Sequence, residues 1–123
     1  MIEFYKLLKQ IEPRPALWTG ENSLKSIRTF LNGYSFALTE HKLIETLSLK
    51  ETNFHDWVAS RLGYSESTAG WDNMILASTI GIDLKHISWE NFDVNIKEVQ
   101  HKESILKFYE LLEEYIEDYE NDF

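Results

Sequence analysis

Residues 17–38, LWTGENSLKSIRTFLNGYSFAL, decide the fold class. Thr19-Gly20-Glu21 lets the chain reverse. Asn22 or Ser23 then stands where a short polar side chain can accept from a free N–H of a helix's first turn. Leu24, Ile27, Leu31, Tyr34 and Leu38 follow at steps of three and four, with Phe30 and Ala37 beside them, so one face of a long helix is apolar. Gly33 sits inside that helix at a cost of about 1 kcal/mol relative to alanine, which close approach of another helix would offset.

The same period recurs outward in both directions. Phe4, Leu7, Leu8 and Ile11 make one face of a helix over 2–11. Pro13 ends it, because the residue before a proline is pushed out of the α region, and Pro15 is expected to keep the following turn extended. Leu43, Ile44 and Leu47 continue the helical period or form a short separate helix. Asn53 opens another helix, with Asp56 favouring its N-terminus and Gly63 its C-terminal cap, and Phe54, Trp57, Val58 and Leu62 as its buried face. A polar loop over 64–70 leads to Trp71, Met74, Ile75 and Ser78, and Gly81 stops that helix. From Glu103 to Tyr119, Ile105, Phe108, Leu112, Tyr115, Ile116 and Tyr119 form a single apolar stripe.

Only 82–99 resists this treatment. Ile87 and Trp89, then Phe92, Val94 and Ile96, alternate with polar residues as in an extended segment, although short helical turns and loop fit better. The expected fold is all-α: one domain over 1–123, a compact bundle of five or six helices, with a minor extended segment near 87–96 as the variant. Leu24, Ile27, Leu31, Tyr34, Trp57, Val58, Met74, Ile75, Phe108 and Leu112 are expected to share one core. A chain of 123 residues buries roughly two-thirds of the surface its unfolded form exposes, enough for a core without staples. Its 17 aromatic rings supply much of the apolar area.

Chemistry is harder to find. There is no cysteine, which excludes disulfides and thiolate catalysis and fits a reducing cytoplasm. The N-terminal stretch lacks the apolar run of a secretory signal, and no segment approaches the roughly 20 apolar residues of a membrane span. His41, His55, His86 and His101 show no zinc-pair spacing. No nucleophile elbow or phosphate-binding glycine loop is present. The expectation is a cytoplasmic protein that is not an enzyme, with no catalytic, cofactor-binding or metal-binding residues.

Charge is the remaining signal. The net charge of −9 opposes direct binding of nucleic acid, which needs a basic surface. It favours basic partners or serves solubility. From Glu103 onward eight acids face the single base Lys107. At about 100° per residue, Glu103, Glu110, Glu113, Glu114, Glu117 and Glu120 fall opposite the apolar stripe. They form either a solvated face or a recognition surface, and Tyr109 and Phe123 at its edge would supply contact area.

The segments RPALWTGENSLKSIRTFLNGYSFAL, FHDWVASRLGY, GWDNMIL and ILKFYELLEEY together resemble a family of small acidic bacterial immunity proteins. These belong to polymorphic-toxin systems, including contact-dependent growth inhibition. The resemblance runs from Arg14 to Tyr115, and Leu84 to Val99 match it poorly. Its motif residues are core aromatics, glycines and caps, none catalytic. It implies a protein that neutralises a cognate toxin, a basic nuclease domain for preference, by covering its active site or an adjacent surface. The expected partner-binding residues are Glu110, Glu113, Glu114, Glu117 and Glu120 on the last helix, with Glu66 and Asp72 from the preceding loop region. An acidic adaptor or regulatory domain for another basic cellular protein is the alternative, and an enzyme assembled from distant residues a third.

Overall fold

The computed structural model describes residues 4–41, 48–64, 69–83 and 87–121, with the side chains of 48–52, 120 and 121 outside that description. The expectations placed on Leu43, Ile44, Leu47, Glu66, His86, Phe123 and the Glu120 side chain therefore lie outside the described residues. The fold is all-α. Among the described residues six helices follow in order: α1 (Tyr5–Ile11), α2 (Pro15–Thr19), α3 (Leu24–Glu40), α4 (Ser48–Leu62), α5 (Trp71–Ile80) and α6 (Glu98–Asn121). Among the described residues there is no strand, and Trp89 to Asn95 form turns, so the extended variant for this segment is not adopted.

Local chemistry explains most helix ends. Ser23 caps α3, its Oγ accepting from Ser26 N–H. Asn22 does something else: its Oδ1 accepts from Ala16 N–H and ties the α2–α3 turn back onto α2. Pro15 does not hold an extended turn but opens α2, where its fixed φ suits the first helical position and its missing N–H costs nothing. At the end of α4, Tyr64 N–H reaches Ala59 O and Gly63 N–H reaches Ser60 O, the paired closure that needs a left-handed residue, here Gly63 at φ 87°. The start of α4 lies five residues before Asn53, which is therefore inside the helix and not its cap.

Packing is organised around α5, a helix of 10 residues. It touches α3, α4 and α6. Trp71, Met74, Ile75 and Ala77 are almost fully buried and Leu76 nearly so, so α5 has apolar side chains on every side. Such a helix belongs inside a bundle. The Trp71 ring stacks on Phe108 of α6 at 4.9 Å, and Phe54 of α4 meets both edge-on at 5.5 and 6.0 Å. Leu8 and Ile11 of α1 and Leu24, Ile27 and Leu31 of α3 close the other side of the same cluster.

Two core expectations need correction. Tyr34 is 40% exposed: its ring meets Phe4 edge-on at 5.8 Å and its remainder faces solvent. Trp57 is only partly buried because its indole N–H turns outward to Asp118 Oδ2 at 2.9 Å. Gly33 is a third. No described atom lies within 4 Å of the position a Cβ would take, so helix contact does not explain it.

Candidate acidic recognition surface

α6 carries the acidic face, and its 24 residues make it about 36 Å long. Its apolar stripe, from Ile105 through Phe108, Leu111 and Leu112 to Tyr115, is buried against the bundle and fixes which residues point out. Val99, Glu103, Leu106, Glu110, Glu113 and Glu117 follow at steps of four and three and are all exposed. This stripe is less uniformly acidic than the charge count implies, since Val99 and Leu106 are 55% and 64% exposed within it.

The acids do not behave as one group. Glu113, on the side toward α1, accepts from Tyr5 Oη at 2.6 Å and lies 3.5 Å from Lys9 Nζ. That contact raises the Tyr5 pKa, chiefly because the phenol proton is held by the carboxylate. Glu114 turns the other way toward Arg61 of α4, whose Nη2 donates to Oε1 at 3.3 Å while Nε lies 3.2 Å from Oε2 as an ion-pair contact without a hydrogen bond. Asp118 accepts from Trp57. Glu110 has only Lys107, one turn away on α6 and 4.0 Å distant. Glu103 and Glu117 have no ion pair or hydrogen bond among the described residues. Of the acids expected to bind a partner, Glu110 and Glu117 thus face solvent directly, while Glu113 and Glu114 also hold α6 to its neighbours. These are half-exposed pairs, each worth about 0–1 kcal/mol.

Asp72 departs most from expectation. It is 4% exposed and occupies the first turn of α5, so it is not part of an open recognition surface. Arg28 of α3 reaches it, Nη1 to Oδ1 at 3.0 Å. Burial pushes the Asp72 pKa up, and the Arg28 charge and backbone N–H groups only partly pull it back. Gly70 makes room for this pair: its φ is 94°, and a Cβ there would fall 2.2 Å from Arg28 Nη1. Nothing in the spacing of Arg28, Gly70 and Asp72 marks this constellation in the sequence.

Tyr109 is likewise not at the surface. It is 4% exposed and its hydroxyl donates to Leu8 O at 2.6 Å, joining α6 to α1. Burial raises its pKa well above the usual phenol value. Among the described residues no group of three or more His, Asp or Glu side chains is disposed to hold a metal ion, and no helix is long and apolar enough to cross a membrane. What the α6 face offers is an elongated acidic surface with apolar points, a geometry suited to contact with a basic protein. Comparison of the chain with protein-family models, with curated proteins and with solved structures finds no match.

Proposed function

We propose that the protein is an immunity protein that binds and neutralises a basic toxin domain, and that the exposed stripe of α6 takes part in recognition. One observation carries the reading. Glu103, Glu110 and Glu117 line the outward side of α6 and form no ion pair with another helix among the described residues, and Val99 and Leu106 lie among them. The family resemblance in the sequence supplies the toxin; the charge pattern supports a basic one, for which an acidic face replaces nucleic-acid phosphates. Charges so placed act mainly on the association rate and on partner choice, while apolar contacts give most of the affinity.

The test is co-expression with the C-terminal domain of the protein encoded by the adjacent gene, together with association kinetics at low and high salt. The triple variant Glu103→Lys, Glu110→Lys, Glu117→Lys leaves the cross-helix contacts of Glu113 and Glu114 in place, so its fold should be retained. The expected result is loss of protection and an on-rate lower by about tenfold or more, with a weaker salt dependence. Equal protection and an equal on-rate would overturn the assignment of this face. Failure of the wild type to protect, combined with tight binding to another basic protein of the cell, would favour the adaptor reading.

A further inference from the structure

A second feature lies beside α6 and shares only Leu106 with the acidic stripe. The turn between α1 and α2, α2 itself and the first half of α6 enclose an open groove of about 720 Å³. Pro13, Pro15, Ala16, Leu17, Ile105 and Leu106 form most of its lining. Leu17 is 76% exposed, the largest value among the exposed large apolar side chains, and Leu106 stands opposite at 64%. A volume in the range of about 300–1,000 Å³ with a mainly apolar lining and a few polar groups is the usual form of a small-molecule site.

The charges at this groove run against those of the protein as a whole. Its ionisable lining residues are Arg14, Lys102 and Glu12. Glu12 is already held by Lys9, Nζ to Oε1 at 2.7 Å. Lys102 has only an exposed contact with Glu98 at 3.6 Å, a pair too weak to commit it. Arg14 is exposed and has no side-chain partner among the described residues. A groove in a protein of net charge −9 thus presents two available cations beside an apolar floor. The overall charge opposes an anion at long range, but screening over about 8 Å at physiological salt leaves the local groups to decide: Arg14 and Lys102, against Glu12, which Lys9 offsets, and Glu98 beside Lys102.

The backbone narrows the ligand further. Pro13 and Pro15 have no N–H. Arg14 N–H donates to Ile11 O, Ala16 N–H to Asn22 Oδ1 and Leu17 N–H to Arg14 O. The α2 wall therefore has no free main-chain donor for a peptide strand or for a ring of phosphate oxygens. What its lining offers an anionic ligand is apolar contact, the cations of Arg14 and Lys102 and the side-chain amide of Asn22. We infer that this groove is a binding site for a small anionic amphiphile, an alkyl-chain carboxylate whose chain lies along Leu17, Ile105 and Leu106 and whose head meets Arg14 and Lys102.

The experiment is isothermal titration of the full chain with dodecanoate and, in parallel, with dodecyltrimethylammonium, both below their micelle concentrations. The expected result is one saturable site for dodecanoate, with the cationic amphiphile weaker by about tenfold. Arg14→Glu/Lys102→Glu should reverse that preference, and Leu17→Asp/Leu106→Asp should abolish saturable binding of both. All four side chains are exposed, and circular dichroism would verify that the variants keep their helices. Absence of saturable dodecanoate binding would overturn the inference. So would equal affinity for both head groups, unchanged binding by the aspartate variant, or binding of an acidic amphipathic peptide when dodecanoate does not bind.

Discussion

Replacing Arg28 with methionine tests the physical account of the α3–α5 contact. The substitution keeps most of the aliphatic stem and removes the charge that lies 3.0 Å from Asp72. Asp72 is 4% exposed, so water cannot take the place of the guanidinium without opening the structure. Breaking one side of a buried ion pair costs about 3–5 kcal/mol, most of it the penalty of an uncompensated charge. Arg28 is itself 31% exposed, which places the expected loss near the lower end, about 3 kcal/mol at neutral pH. That is a large part of the roughly 5–15 kcal/mol available to a domain. The loss must also depend on pH in a definite direction. Burial holds the Asp72 pKa above its unfolded value of 3.8, and without Arg28 it rises further. In that window the native state binds more protons than the unfolded state, so stability falls as pH rises through it. Urea unfolding of wild type and variant across the weakly acidic to neutral range should show a small deficit where Asp72 is protonated and a growing one above. The double variant Arg28→Met/Asp72→Asn should recover most of the loss at neutral pH. A deficit below about 1 kcal/mol, or one that is flat with pH, would refute the reasoning, since a buried unpaired carboxylate must give both magnitude and slope.

Three further outcomes are expected. Phe108→Ala should cost about 3–5 kcal/mol in urea unfolding, because it empties a fully buried site between Trp71 and Phe54. Tyr109→Phe should cost about 1 kcal/mol for the bond to Leu8 O, which still accepts from Glu12 N–H. It should also flatten the alkaline limb: with the folded pKa raised, the unfolded chain ionises first and wild-type stability falls above about pH 10, as urea midpoints in that range would show. Gly33→Ala should raise stability by about 0.5–1 kcal/mol, since the site is helical and open, and a thermal melt with no gain would count against that assignment.

How far the fold could be read in advance differs from element to element. The stripe of α6 announced itself because an amphipathic helix repeats its apolar residues at its own period, and α1 and α3 did so for the same reason. α5 gave a weaker signal. Trp71, Met74, Ile75 and Ser78 keep the helical period, but Leu76 and Ala77 are buried too, so the period marks one face of a helix that is apolar around most of its axis, and only the contacts with α3, α4 and α6 reveal it as the centre. Asn53 is a good cap in isolation and so marks too late a start for α4, which begins upstream at Ser48.

For the candidate surface the division is sharper. Residue order alone is enough to show that the chain is helical, that α6 has one apolar and one acidic side, and that most of the charge excess lies there. These are properties of neighbours three and four residues apart, which local geometry places on one face. What each acid does depends on which helices the fold brings beside it. Glu113 meets Tyr5 and Lys9 across 108 and 104 residues, Glu114 meets Arg61, and Asp72 is drawn inside to Arg28, while Glu103 and Glu117 remain without such partners. The energy of each pairing depends on burial and on distances of a few ångströms between elements remote in the chain, and no local pattern encodes those.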